Sequence, residues 1–279
     1  MRLLTYNIRE GGVGRAEQIA EVIRAANPDV VALQEARYPA VVEQIAGLAG
    51  FPYSGSKRSH STGFLSKVPV TEYAWRYPPR TRHAILEVSL ADGFPRLFVL
   101  HLRAWFSKWS ERQRARELRG LLDGIKEQLI KEEHAFAFHI LAGDFNALAP
   151  GEVLDPSHMP RWIQGMIWVS GRDIARSTIE MMQSEGYVDA WRALNADMEG
   201  DRGCTFPVWN PHVRLDYVFT PAGYASRFIA CEVVRSPEAV RTASDHFPLL
   251  VEISDKEQVH VPARPTKNRA ATDRPFRDQ

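Results

Sequence analysis

The sequence predicts a mixed α/β (α+β) domain. Its first segment is a strand, helix, strand unit, which favours neighbouring parallel strands. After residue 50, short apolar segments alternate with Gly or Pro, a rhythm typical of antiparallel sheet. With 279 residues, of which 44% are hydrophobic, the chain can form one large domain with a substantial core.

The opening unit of the chain places polar residues at the ends of two strands. Arg2–Ile8 and Asp29–Leu33 are predicted strands on either side of a helix at Arg15–Ala26. The first strand ends on Asn7, and the second is followed by Gln34 and Glu35. Because the ends of such strands lie side by side, we expect Asn7 and Glu35 to be neighbours. A lone Glu is usually an ordinary surface residue, but the apolar run before Glu35 argues against that reading.

The rest of the chain alternates between strands, helices and loops. Short strands are predicted at 51–55, 62–66, 71–75, 84–90, 96–102, 136–142, 213–220, 228–235 and 250–253, helices at 39–49, 107–130 and 173–185, and a long loop at 148–172. The domain is predicted to span residues 1–254, and the polar, Pro- and Arg-rich residues 255–279 are expected to form a disordered tail.

Polar residues also follow the buried strand at 136–142. Gly143-Asp144-Phe145-Asn146 is expected to break this strand, so that Asp144 and Asn146 are presented where it ends. A carboxylate and a carboxamide two residues apart can point the same way and serve one small target. Taken alone, the pattern favours a plain turn, because Asp and Asn favour turns for local hydrogen-bonding reasons. Similar polar strand ends elsewhere in the chain favour a functional site.

Later strands add histidines and buried carboxylates. His101 lies beside apolar strand residues, a setting in which most histidines are structural. Asp216 stands between large hydrophobic residues, and a buried carboxylate needs a partner. The pair Asp245 and His246 precedes the closing strand.

The predicted helix at 107–130 carries many cations. Arg103 and Arg112 lie near Trp105, and aromatic residues interleaved with arginines can stack nucleic-acid bases. The alternatives are a solvated charged face and aromatic packing under a loop. The basic residues of this helix include Lys108, Arg112, Arg114, Arg116 and Arg119.

Composition neither requires nor excludes a nucleic-acid partner. The formal charge is +1, so attraction to nucleic acid must come from a local patch. Two cysteines make no disulfide framework in a chain of this length. The strand-like segment directly after Met1 leaves no room for a secretion leader, and no apolar run reaches membrane-spanning length, so we expect a cytoplasmic protein.

Together, the ordered polar motifs resemble those of the endonuclease/exonuclease/phosphatase superfamily, the DNase I-like phosphodiesterases. Any one motif is weak, but five in this order over residues 1 to 254 are specific. The motifs are Thr-Tyr-Asn7-Ile, Leu-Gln-Glu35, Gly-Asp144-Phe-Asn146, Arg-Leu-Asp216-Tyr and Ser-Asp245-His246-Phe-Pro, with His101 between the second and the third.

The resemblance implies a four-layer α/β/β/α sandwich of two mixed sheets, with the site at the sheet edges. It also implies a Mg2+ or Mn2+ site formed by Asn7, Glu35 and Asp245, oxygen ligands that such ions prefer. Asp216 would orient His246, and either Asp144 or His246 would activate the water. Asn146 and His101 would donate hydrogen bonds to phosphate oxygens.

This sequence departs from the family pattern at two places, which bear on the branch of the family it resembles and on the role of His101. Arg9 stands where the abasic-site endonuclease branch usually has a carboxylate, which disfavours that branch. In DNase-like members of the family, a carboxylate on an earlier strand supports the histidine that corresponds to His101. Residues 56–63 of this chain offer no such carboxylate.

Three functions remain open from the sequence. The first is a metal-dependent phosphodiester hydrolase acting on nucleic acid as a monomer, with Arg103, Trp105 and Arg112 as substrate-binding candidates. The second is a phosphodiesterase or phosphatase for lipid headgroups or small phosphoesters. The third is a catalytically inactive binding module, since a fold does not fix a function.

Overall fold

The computed structural model of the chain describes residues 1–77, 83–91, 93–104, 108–132, 138–152, 164–165, 176–196 and 203–254. Within them, two mixed sheets of six strands each pack face to face, with helices on their outer faces. This arrangement confirms the predicted four-layer sandwich. No helix in the described part of the chain has the length and apolar character needed to cross a bilayer.

The strands are β1 Arg2–Asn7, β2 Val30–Gln34, β3 Tyr53–Ser56, β4 Thr62–Ser66, β5 Val70–Arg76, β6 Ile85–Leu90, β7 Arg96–His101, β8 His139–Asp144, β9 Tyr187–Asp189, β10 Asp216–Pro221, β11 Phe228–Val233 and β12 Leu249–Ile253. The α-helices are α1 Ala16–Ala26, α2 Pro39–Ala49, α3 Lys108–Glu132, α4 Ser177–Ser184, α5 Ala190–Leu194 and α6 Val240–Ala243, and short 3-10 turns occur at Glu10–Gly12 and Ala222–Arg227.

The first sheet has the strand order β11-β12-β1-β2-β4-β3. Strands β1 and β2 pair in parallel, with Asn7 opposite Gln34, as the strand, helix, strand pattern predicts. Glu35 therefore follows directly at the same edge as Asn7. The closing strand β12 pairs antiparallel with β1. This pairing brings the segment before β12, which carries Asp245 and His246, to the same region.

The second sheet has the order β5-β6-β7-β8-β10-β9. Its centre is β8, which pairs in parallel with β7 and antiparallel with β10. Long apolar segments suit this central position because both faces of the strand are covered.

Three apolar layers hold the sandwich together. Between the sheets, residues such as Leu3, Val99 and Val218 form one buried cluster. A second cluster joins the first sheet to α1, α2 and α6, and a third joins the second sheet to α3 and α4. Successive side chains of a strand point to opposite faces of the sheet, so one strand contributes to two of these clusters. Leu3 faces the other sheet, whereas its neighbour Leu4 faces the helices.

The structure differs from one prediction about the elements and excludes one alternative for Arg114. Strand β8 does not break at Gly143 but continues through Asp144, because β7 and β10 pair with it on both sides up to that residue. Arg114 does not lie on a solvated face of α3: only 1% of the residue is exposed, and it is paired with the buried Glu111. Trp105 and the tail at 255–279 lie outside the described residues.

Candidate active site

Three side chains of the site stand side by side across the second sheet. In the strand register, Asp144 at the end of β8 lies opposite His101 of β7 on one side and Asp216 of β10 on the other. Residues paired across strands project to the same face. The ladder therefore places an imidazole and two carboxylates in one row, although they are far apart in the sequence.

The approach of β7 to β8 in this row requires glycine at position 143. Gly143 has a φ of 150°, and a Cβ there would lie 1.9 Å from the carbonyl oxygen of Leu100. Any side chain would force the strands apart. A larger residue at this position would consequently displace Asp144 from His101.

Asp144, on the second sheet, is hydrogen-bonded to a residue of the first sheet. Its Oδ2 accepts a hydrogen bond of 3.0 Å from Nδ2 of Asn7, across the interface between the sheets. Its Oδ1 accepts from the backbone N–H of Asn146 at 2.8 Å. The Nε2 atoms of His101 and His246 lie 3.8 Å and 3.9 Å from the same Oδ2. Three side chains thus converge on one carboxylate oxygen.

His246 is fixed by Asp216. Its Nδ1 lies 2.8 Å from Oδ2 of Asp216, so the ring donates from Nδ1 and presents Nε2 towards Asp144. Burial disfavours the charged ring, but the Asp216 charge and hydrogen bond, reinforced by Asp144, raise the pKa of His246 to about 10. Near neutral pH, His246 in this arrangement is a cation.

Burial is the main cause of the pKa shifts of Asp144 and His101, and it favours the neutral form of each. It raises the pKa of Asp144 to about 7, against the lowering effect of charged His246. It lowers the pKa of His101 to about 4, although Glu35 favours the charged ring. His101 is therefore neutral near pH 7 and can serve as a hydrogen-bond donor without adding charge.

The other two predicted carboxylates lie at the rim. Glu35 adopts a φ of 59°, and its Oε2 accepts the backbone N–H of Glu10 at 2.6 Å. Nη2 of Arg37 lies 3.8 Å from Oε2 of Glu35, and Nε of Arg9 lies 3.7 Å from Oδ2 of Asp245. Each rim carboxylate thus faces a half-exposed arginine at more than direct hydrogen-bond distance.

Asn146 is held by backbone contacts. Its φ is 49°, and its Nδ2 donates to the carbonyl oxygen of Leu102 at 3.0 Å. Asp144 and Asn146 were predicted to project from extended backbone, but Asn146 itself adopts the left-handed conformation, so the segment is not extended up to that residue. One amide hydrogen of Asn146 is used in fixing the segment after β7.

Two of the three substrate-binding candidates, Arg103 and Arg112, lie among the described residues. Arg103 follows β7, and its guanidinium stacks 4.5 Å from the ring centroid of Trp109. Arg112 is exposed on α3. Trp105 lies outside the described residues.

Sequence reasoning missed two hydroxyl residues that support the site. Ser244 Oγ donates to the carbonyl oxygen of Asn7 at 2.6 Å and accepts the N–H of His246 at 3.3 Å. Thr205 Oγ1 accepts the backbone N–H groups of Leu215 and Asp216. Ser244 stands next to the Asp-His pair in the sequence, whereas no local pattern marks Thr205.

A match to a family model identifies the chain. The model described as the Endonuclease/Exonuclease/phosphatase family matches residues 4–246. The chain belongs to this family. Members of the endonuclease/exonuclease/phosphatase family are hydrolytic enzymes that act on phosphoesters, so the chain is an enzyme of that class.

Solved structures of this family share the fold at low sequence identity. The Neisseria 3′ phosphatase NExo, bound to a product DNA hairpin, has a TM-score of 0.67 at 17% identity over 91% of this chain and 99% of that one. An AP endonuclease from Archaeoglobus fulgidus has a TM-score of 0.65 at 17% identity, with 91% and 99% covered. D. rerio TDP2 with single-strand DNA product has a TM-score of 0.57 at 20% identity, with 90% and 97% covered.

One curated relative is also similar. The uncharacterized Caenorhabditis elegans protein F14F9.5 is 26% identical over 265 residues, covering 78% of each chain.

Proposed function

We propose that this protein is a divalent-metal-dependent phosphodiester hydrolase that acts on nucleic acid. The observation that carries the proposal is the convergence of Asn7, His101 and His246 on one buried oxygen of Asp144. Such a group of hydrogen-bond donors around a carboxylate suits a site that positions water against a phosphate.

In this proposal, Asp144 and His246 have different roles. Asp216 keeps Nδ1 of His246 occupied, so Nε2 is the atom available to a phosphate oxygen. A charged ring there offsets negative charge on the phosphoryl group. Asp144 is left as the group that positions the attacking water and accepts its proton. His101 and the second amide hydrogen of Asn146 supply further donors.

Two sets of residues could hold the metal. Asp144, Asp216 and His246 have ligand-type atoms within 4.8 Å of one another. However, Nδ1 of His246 already donates a hydrogen bond of 2.8 Å to Oδ2 of Asp216, and a metal bound between these atoms would have to displace that proton. The rim set is the better fit for Mg2+ or Mn2+, since Glu35 and Asp245 offer carboxylate oxygens that face cations loosely.

Asn7 would complete the rim set through its Oδ1. That atom accepts the backbone N–H of Arg9 at 3.0 Å and retains a second lone pair. When bound, a divalent cation would neutralise phosphate oxygens and polarise the bond to be cleaved.

Nucleic acid is the proposed substrate class because of two observations. The similar solved structures include a phosphatase with a DNA hairpin and TDP2 with single-strand DNA. In this chain, Arg37 and Arg103 lie beside the site, and guanidinium groups bind phosphates well.

The proposal is tested by incubating the pure protein with single-stranded, duplex and nicked oligonucleotides in Mg2+ or Mn2+, with and without chelator, and analysing products by mass spectrometry. We expect chelator-sensitive cleavage by the wild type. Asp144→Ala and His246→Ala should each reduce turnover by a factor on the order of 1,000, because the first loses the group that accepts the proton of the water and the second loses the charge that faces the phosphoryl group.

The matched control is Asp123→Asn, which changes an exposed carboxylate on α3. This variant should cleave at the wild-type rate. Wild-type rates in the Asp144 or His246 variant would contradict the mechanism. Absence of cleavage on every oligonucleotide, with turnover of a lipid or small phosphoester, would contradict the substrate class.

A further inference from the structure

A cavity of about 580 Å³ opens beside the proposed catalytic groups. Glu35 and His101 form the wall that it shares with the site. The loop between β3 and β4, the end of β5, the start of β6 and the residues after β7 enclose the rest. A group bound next to the scissile phosphate would therefore lie in this cavity.

Two buried nitrogen atoms on the cavity wall have no partner among the described residues. Within the described part of the chain, neither Nδ1 of His101 nor Nε of Arg103 makes a hydrogen bond. Both residues line the cavity. Leaving a buried polar nitrogen unpaired costs free energy, so such atoms mark a place where a ligand can supply the missing partner.

The side chains around these nitrogens divide into a cationic part and an aromatic part. Arg37 and Arg103 provide the cations. His60 and Tyr77 also line the cavity and are joined by a hydrogen bond of 2.6 Å between the Tyr77 hydroxyl and Nε2 of His60. Nδ1 of His60 lies 3.1 Å from the carbonyl oxygen of Arg58 and must donate to it, so the Tyr77 hydroxyl donates to Nε2.

The aromatic part is accessible. Tyr77 is 57% exposed, and the edge-to-face contact of His60 with Trp75 supports the wall from behind. An exposed aromatic ring next to arginines suits a base or a sugar joined to a phosphate.

The size of the cavity limits what it holds. Pockets for small ligands range from about 300 to 1,000 Å³, so this cavity accommodates one nucleotide unit and not a length of duplex. We propose that the cavity binds the nucleotide unit adjacent to the scissile phosphate and recognises a further phosphate on that unit through Arg103 and Arg37. This proposal rests on the nuclease function proposed above and specifies its substrate.

Binding can be measured without catalysis. The probe is thymidine 3′,5′-bisphosphate, titrated calorimetrically into the metal-free protein in chelator, with thymidine as the neutral comparison. We expect the bisphosphate to bind at least 10-fold more tightly than thymidine, and Arg103→Gln to weaken it about 10-fold, since a hydrogen bond to a charged group is lost. Tyr77→Leu should weaken both probes.

Two further arginine variants complete this test. Arg241→Gln removes a half-exposed arginine from α6, outside the cavity lining, and should leave bisphosphate binding unchanged. Arg112→Gln tests the exposed face of α3. Loss of binding in Arg112→Gln but not in Arg103→Gln would overturn the proposal, as would equal binding of bisphosphate and thymidine.

Cleavage rates distinguish a failure of the cavity proposal from a failure of the proposed function. Dinucleotides are compared that carry a phosphate at the 5′ end, at the 3′ end or at neither end. Faster cleavage of one phosphorylated form, about 10-fold, would support the proposal and identify the polarity of the cavity. Equal cleavage of all three would overturn the cavity proposal while leaving phosphodiester hydrolysis intact. Bis(p-nitrophenyl) phosphate, which has no second phosphate, reports the chemistry alone, and its failure to react would count against the proposed function.

Discussion

The inner and outer halves of the active site neutralise their carboxylates differently. In the inner half, Asp144, Asp216 and His246 are buried, and direct contacts such as the 2.8 Å hydrogen bond between Asp216 and His246 satisfy the charges. In the outer half, Glu35 and Asp245 have side chains 21% and 22% exposed and face arginines at 3.7 to 3.8 Å.

This difference supports the proposed division of the site, in which one half transfers protons and the other half binds a metal ion. Buried charges are tolerated when they are paired and hydrogen-bonded, and such a pair resists the entry of another cation. Loosely paired carboxylates at a rim can exchange an arginine for a divalent cation at lower cost. We therefore propose proton transfer for the inner half and metal binding for the outer half.

The largest effect is expected when the inner pairing is broken. Asp216→Asn keeps the shape of the side chain but removes the charge that holds the pKa of His246 near 10. We expect kcat to fall by a factor on the order of 100 to 1,000. NMR titration of the His246 ring should show its pKa lowered in the variant. An unchanged His246 pKa would contradict the assigned role of Asp216.

Substitutions in the outer half are expected to have a smaller effect, and to change metal binding instead of the pKa of His246. Glu35→Gln and Asp245→Asn should each weaken Mg2+ binding by about 10- to 100-fold. Bound Mg2+ should raise the melting temperature of the wild type by mass action, and this rise should be lost in both variants. The control is Glu43→Gln, because Glu43 is an exposed residue of α2. Mg2+ should raise the melting temperature of this variant as it does that of the wild type. If Asp216→Asn abolished the metal effect and the rim variants did not, the two halves would have to be reassigned.

The sequence predicted the strand ends but not all of their geometry. Asn7, Glu35 and Asp144 could be identified because polar residues directly follow or end apolar strands. Their contacts could not, since Asn7 and Asp144 are 137 residues apart and meet only through the packing of two sheets. The β8 boundary was missed because Gly143 is read as a strand breaker, whereas here it permits the approach of Leu100.

Arg114 shows where a stricter use of periodicity would have succeeded. It precedes Leu118 by four residues and Leu121 by seven, so it lies on the apolar face of α3. Its charge suggested a surface position instead. The side chain is buried because Glu111 pairs with it and the carbonyl oxygen of Arg103 accepts its Nη1 at 2.8 Å. Buried Arg114 therefore supports the segment that carries Arg103, and does not contact the substrate.

The smallest expected effect is a pH dependence of stability that comes from Asp144. In the metal-free folded protein its pKa is raised to about 7 by burial, whereas in the unfolded chain it is about 3.9. Between these values the folded state binds more protons than the unfolded state. The contribution is therefore present in full below pH 4 and is lost as the pH rises towards 7.

The comparison of wild type with Asp144→Asn isolates this contribution. Between pH of about 4.5 and 6.5, the wild type should lose free energy of unfolding relative to the variant, on the order of 2 kcal/mol. His101, whose pKa is lowered to about 4, contributes in the opposite direction but does so in both proteins, and His246 is protonated throughout this range in both. Urea unfolding in chelator at both pH values measures the difference. Parallel stability curves for the two proteins would show that Asp144 is ionised in the folded state, and would place the proton of the inner half on His246 alone.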